Sequence, residues 1–220
     1  MHRMPEDLTR RAALGALAGA PVALGAALTT EPVKAARPAV VSILGDSITA
    51  GYGLPAADAL PVQLQRELRA LGLNVSVHGA AVTGSTTAGG LRRVGQVRAD
   101  TDVCVVALGG NDLLSFLPPA ETRANLEGIV SRLKARRIGV VLAALQAPAE
   151  LGAYARSFNA VFPQVARAQK VPLHASFLSG VLLDSRYNQP DLVHPNAAGV
   201  RIIARRLAPV VAGALRTRRA

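Results

Sequence analysis

From Pro38 onward, short and almost wholly apolar runs alternate with longer amphipathic stretches. The apolar runs at 39–44, 75–78, 103–108, 138–144 and 171–174 have the length and β-branched content of strands covered on both faces. Helical spacing fills the gaps. Val62, Leu64, Leu68 and Leu71 recur through 57–71, and Leu126, Ile129, Val130 and Leu133 through 121–136. Comparable stripes run through 154–169 and 197–215, and 88–98 reads as helix too. Pro195 stands where the first turn of the last helix tolerates proline. The alternation predicts an α/β domain with a five-stranded parallel sheet between two helical layers. Ligands and chemistry gather beyond the carboxyl ends of such strands. The pattern holds no internal repeat, low-complexity linker or second domain.

Residues 1–36 belong to a different compositional zone. Thr9-Arg10-Arg11 precedes a stretch of Ala, Gly, Leu and Val from Ala12 to Leu28, broken by Pro21. A charged start, a short apolar run and small residues after it mark an export signal. Thr9, Arg10, Arg11 and Leu14 resemble a twin-arginine signal, with Ala13 where an aromatic is usual. The run is too short and too rich in glycine for a good spanning helix. The expectation is a signal and linker over 1–36, a catalytic domain over 37–220, and a periplasmic or secreted destination.

The chain of 220 residues carries a single cysteine, Cys104, inside an apolar run, which excludes an intramolecular disulfide framework. A formal charge of +11 raises the question of nucleic acid. The arginines are scattered or clustered in the last helix, with few interleaved aromatics, so a solvated basic surface is expected instead. Loose contact with an anionic membrane surface fits the same charge; nucleic acid is not expected as a partner.

Chemistry concentrates in four short segments. Ser47 directly follows the first strand in Gly45-Asp46-Ser47, and Asp191-Leu-Val-His194 lies near the other end. A serine hydroxyl needs an imidazole to accept its proton and a carboxylate to orient that imidazole. Ser47, His194 and Asp191 supply the three groups. Gly84 lies in a turn after the second strand, where a glycine lets a backbone N–H approach a substrate oxygen closely. Asn111 follows the third strand. With the Ser47 amide, Gly84 and Asn111 form a candidate oxyanion hole. Asp46 and Asp112 read as loop-holding residues, and His78 and His174 as strand-end groups that border the cleft. With no Cys or His cluster, neither a metal nor a cofactor is expected. Thr49 stands where a Gly-x-Ser-x-Gly elbow would place its second glycine, which argues against the α/β-hydrolase fold.

Taken together, Gly45-Asp46-Ser47, Gly84, Gly109-x-Asn111-Asp112 and Asp191-x-x-His194 resemble the four motif blocks of the SGNH/GDSL hydrolase superfamily. The connecting sequence is similar to the thioesterase I, lysophospholipase L1 and arylesterase branch. That resemblance implies a flavodoxin-like three-layer α/β/α sandwich. It also implies metal-independent hydrolysis of acyl esters or thioesters by Ser47, Asp191 and His194, with oxyanion donors at Ser47, Gly84 and Asn111. Two positions depart from the branch: Gly79 replaces an asparagine and Ser85 an aspartate, which bears on how the glycine turn is held. The expected partner is a small acyl ester or thioester. Its acyl group would meet Leu113, Leu114 and Phe116 after the oxyanion asparagine, and Pro148 and Tyr154 after the fourth strand. A carbohydrate O-acetyl esterase, an amidase and a non-catalytic flavodoxin-like binding module remain as alternatives.

Overall fold

β1 (Ala39–Gly45) is buried along its whole length, as a strand with neighbours on both edges and helices on both faces must be. The computed structural model describes residues 37–219, so the expected signal lies outside the described residues. The remaining elements, in chain order, are α1 (Ser47–Ala50), α2 (Leu60–Ala70), β2 (Val75–Ala81), α3 (Thr87–Arg93), β3 (Val103–Ala107), α4 (Gly110–Leu114), α5 (Pro119–Ala135), β4 (Gly139–Ala143), α6 (Gly152–Gln169), β5 (Leu173–His174) and α7 (Ala197–Arg219).

The strands pair in the order β2-β1-β3-β4-β5, and every pairing is parallel. α2 and α7 pack together on one side of the sheet, while α3, α5 and α6 form the other layer. Right-handed crossovers produce this distribution, because the chain runs outward from β1 first to β2 and then back across to β3. The reversal leaves a crevice beyond the carboxyl ends of β1 and β3, the switch point where doubly wound sheets bind ligands. Ser47 begins the element that follows β1, and Asn111 is the second residue of the one that follows β3.

The core is aliphatic: Val41, Ile43, Val103, Val105 and Leu142 are fully buried in the sheet, and Leu64, Leu126, Ile129 and Leu207 close on it from the helices. Phe158 and Phe162 are the fully buried aromatics of the core, in edge contact with ring centroids 5.8 Å apart. Cys104 is completely enclosed in β3, and burial pushes its thiol up to about 12, so it is an inert strand residue.

Several boundaries differ from the sequence pattern for identifiable reasons. The predicted helix over 57–71 is a 3₁₀ turn at Ala56–Asp58 followed by α2, because Ala59 is extended and Pro61 sits in the first turn. The helix predicted over 88–98 likewise ends at Arg93 and continues as a 3₁₀ turn at Val94–Gln96. β2 runs on through Gly79, Ala80 and Ala81, which pair with the end of β1, although these small residues carry no strand signal. β5 shrinks to two residues. Pro195 stays outside the last helix in an isolated bridge with Asn188. Asn196 caps α7 instead, its side-chain oxygen accepting from the amides of Ala198 and Gly199 at 2.9 and 3.1 Å.

Candidate active site

α1 is a four-residue helix with Ser47 at its first position, held by the Asp46 side chain accepting from the Ile48 amide at 3.0 Å. This cap aims the Ser47 hydroxyl out of the switch-point crevice while leaving only 7% of the residue exposed. The first amides of a helix have no ladder partner, which leaves the Ser47 N–H with its donor capacity intact. Asp46 is itself buried, and desolvation raises its carboxyl to about 6, against opposing bonds from backbone amides and the positive charge of Arg93.

His194 arrives from the far end of the chain. Its Nε2 lies 2.9 Å from Ser47 Oγ, and its Nδ1 lies 2.6 Å from Asp191 Oδ2. Asp191 also folds its own loop, since its Oδ1 accepts from the amides of Val193 and His194 at 3.0 and 2.9 Å. Those backbone and imidazole bonds hold the Asp191 carboxyl down at about 2. The carboxylate stays ionised throughout the working range and fixes a proton on Nδ1, which leaves Nε2 free to accept from serine. One loop therefore provides both partners of the nucleophile.

Gly84 has a φ of +76°, so the left-handed turn itself requires glycine. A Cβ there would meet no other protein atom within 4 Å, so the turn faces open space. Asn111 Nδ2 donates to the Ser85 carbonyl at 3.0 Å, tying its amide to the glycine turn and leaving a second N–H on the same nitrogen. Asp112 reinforces the joint. It is 1% exposed and accepts from the Thr87 amide at 2.8 Å, from the Thr87 hydroxyl, and from the Thr122 hydroxyl at 3.2 Å. Arg93 braces the glycine turn at Ser85 against the ends of β1 and β2. Its guanidinium donates to the carbonyls of Gly45 and Ala80 at 2.5 and 2.6 Å and to Ser85 Oγ at 3.2 Å.

An apolar cavity of about 290 Å³ opens at Ser47, Asn111 and His194. Leu113, Leu114, Phe116 and Pro148 line it as the sequence suggested. Tyr154 does not. Its hydroxyl donates to the Leu117 carbonyl at 3.0 Å and its ring lies 5.4 Å from that of Phe116, so it props the loop from behind. Leu145, Leu151, Leu178, Leu182, Leu183 and Val193 complete the wall. Sequence reasoning missed these apart from Leu151, which lies between Pro148 and Tyr154, although the pair Leu182-Leu183 in a loop without periodicity was a usable signal. His78 and His174 are absent from the cavity wall; His174 is half-buried on β5, where burial and Arg206 lower its basicity.

With this geometry in place, comparison with known proteins decides the family. Residues 43–202 match the model of the GDSL-like lipase/acylhydrolase family. The chain belongs to that family. As a member it is a carboxylic ester hydrolase with the SGNH-hydrolase fold. Among curated family members, the thioesterase 1/protease 1/lysophospholipase L1 of Escherichia coli (strain K12) is 33% identical over 174 residues, which is 78% of this chain and 82% of that protein. The arylesterase of Vibrio mimicus is 32% identical over 156 residues, covering 70% and 78% respectively. The crystal structure of AlinE4, an SGNH-hydrolase family esterase, superposes with a TM-score of 0.68 at 39% identity, over 82% of this chain and 98% of that one.

Proposed function

We propose that this family member is an exported serine esterase that hydrolyses small acyl esters and thioesters with Ser47 as nucleophile. The observation that carries the assignment is the unbroken relay from Asp191 through His194 to Ser47 Oγ, at 2.6 and 2.9 Å, at the mouth of an apolar cavity. His194 Nε2 takes the hydroxyl proton as Oγ adds to the acyl carbon. The oxyanion receives hydrogen bonds from the amides of Ser47 and Gly84 and from the Asn111 side chain. When the tetrahedral species collapses, the imidazolium returns the proton to the leaving oxygen or sulfur. Water, deprotonated by the same nitrogen, then releases the acid and restores Ser47.

Leucines, a phenylalanine and a proline favour an alkyl acyl group and disfavour a carbohydrate acetyl ester, which would call for polar partners. The relatives named for arylesterase and for thioesterase and lysophospholipase activity support the same range. Ser47→Ala is the decisive test. It should abolish p-nitrophenyl butyrate turnover and labelling by a fluorophosphonate probe, with the circular dichroism spectrum unchanged. Retained turnover would end the assignment.

Export rests on Arg10-Arg11 and the apolar stretch after it. Replacing both arginines by lysine should leave the chain in the cytoplasmic fraction of the expressing cell. Loose contact with an anionic membrane surface has its support at the opposite end of the strands, where β4 and β5 begin. There Lys134, Arg137, Lys170 and Arg218 rim a shallow groove, and among the described residues none of them pairs with a carboxylate.

A further inference from the structure

In ester hydrolysis at Ser47 the attacked carbon becomes tetrahedral, and the site described above accounts for three of its four substituents. Oγ is the nucleophile, the oxyanion faces Gly84 and Asn111, and the acyl chain enters the 290 Å³ cavity. The fourth substituent is the leaving group. It must come within hydrogen-bond reach of His194 Nε2, because that atom hands the proton back. Nε2 is already 2.9 Å from Oγ, so the leaving group lies against the imidazole on the side away from the cavity.

One aromatic side chain meets the imidazole there. The Tyr52 ring has its centroid 4.7 Å from that of His194, with the planes inclined by 38°, yet the residue is 52% exposed and is no part of the cavity wall. Its backbone is fixed to both halves of the relay. The Tyr52 amide donates to the Ser47 carbonyl at 3.0 Å, and its own carbonyl accepts from Gln189 Nε2 at 2.7 Å. Gln189 in turn belongs to the histidine loop, donating from its amide to the His194 carbonyl at 2.8 Å and from Nε2 to the Pro195 carbonyl at 3.2 Å. Gly53 leaves room for this clamp, since a Cβ there would collide with Gln189 Oε1. A half-exposed ring held in the frame of the nucleophile and the base has apolar area left to cover. A second flat ring covers it in an offset or edge-to-face arrangement that saturated groups match less well.

We propose that Tyr52 is the platform of a leaving-group subsite that favours esters and thioesters of flat, aromatic alcohols and thiols. This inference rests on the serine-esterase reading and adds to it the half of the substrate that the acyl cavity does not contact. Tyr52 is a binding residue here: its ring touches the leaving group, and Gln189 positions it.

The test compares benzyl and cyclohexylmethyl esters of the same short acid, whose leaving alcohols match in basicity and size and differ in flatness. The wild-type chain should show a higher kcat/KM for the benzyl ester. Tyr52→Ala should slow both esters, because the imidazole loses a neighbour, but the benzyl-to-cyclohexylmethyl ratio should fall by about 2- to 10-fold, the range that one aromatic pair contributes. Tyr52→Phe should keep the wild-type ratio. Tyr52→Leu, which retains apolar bulk without a π face, should lose it. Equal losses on both esters in Tyr52→Ala would overturn the subsite and leave the ring as a support for His194, as would a wild-type chain indifferent to flatness. Residual turnover of either ester by Ser47→Ala would instead fail the parent reading, and the subsite with it.

Discussion

The two halves of the cleft are built differently. On the polar side, every turn is tied to another by buried or half-buried hydrogen bonds: Asp112 to Thr87 and Thr122, Asn111 to Ser85, and Arg93 to Gly45 and Ala80. On the apolar side the rim residues Leu114, Phe116 and Leu183 are about 60% exposed, and Phe116 and Leu183 adopt positive φ. The rim is anchored mainly from behind, through the Tyr154 hydroxyl on Leu117 and the Asn159 amide on Ala147. The difference follows from what each half does. Charge that develops on one oxygen must be met by donors placed to a few tenths of an ångström. An alkyl chain needs only apolar area, which is non-directional and tolerates a loose wall.

Substitutions should separate the halves by the size and kind of their effects. The largest is expected on the polar side. Asn111→Ala removes the proposed oxyanion donor and should lower kcat by about 10²–10³, or roughly 2.7–4 kcal/mol of transition-state stabilisation, with KM little changed. Steady-state kinetics on a p-nitrophenyl ester would measure it, and a near-wild-type kcat would show that Asn111 serves the Ser85 carbonyl alone.

Asp46 gives a comparable effect, seen in stability. Burial keeps its proton on up to about pH 6 in the folded chain, whereas an unfolded carboxyl loses it near its ordinary value. The stability contributed by the protonated form is therefore present in acid and is lost as pH rises through about 6. Asp46→Asn keeps a capping oxygen without the charge. Its stability relative to the wild type should improve between pH 4 and pH 7 by up to roughly 3 kcal/mol. Urea denaturation midpoints at the two pH values would show this, and a constant difference would contradict it. Asp191, held at about 2 and common to both chains, leaves that comparison unchanged.

Asp112→Ala strands the Thr87 amide and two threonine hydroxyls. It should cost about 1–3 kcal/mol of stability in urea unfolding, and kcat should fall with it because Gly84 and Asn111 lose their common brace. The smallest effect belongs to the rim. Phe116→Ala should shift stability by less than about 0.5 kcal/mol, since the side chain is mostly in water. Turnover of long-chain esters should drop more than that of short ones, by a factor of a few, each buried methylene being worth about 0.8 kcal/mol. A uniform loss across an acyl-chain series would place Phe116 in the polar machinery and dissolve the contrast.

The same contrast explains what was legible beforehand. The polar half is written in residue types that few other purposes demand together: a serine after a strand, a glycine turn, Gly-x-Asn-Asp, and Asp-x-x-His. The apolar half is written in leucines, which look alike in a core, a loop or a cavity wall. Leu113, Leu114, Phe116 and Pro148 were found because they adjoin the strand ends, whereas Leu178, Leu182 and Val193 come from a long loop whose path has no local signature. Tyr154 was misplaced for the same reason, its position in the chain saying nothing about which side of the rim its ring would take.

By itself the sequence determined the layered α/β architecture, because apolar runs of strand length separated by helical stripes can be buried in few other ways. It also determined which polar groups could take part in acyl transfer. Only the tertiary structure decided that Ser47 Oγ lies 2.9 Å from His194 Nε2, that Gly84 takes a left-handed backbone angle, and that Tyr52 lies over the imidazole. Those are distances between residues far apart in the chain. They are set by the strand order and by how the loops pack at the switch point, and no local propensity encodes either.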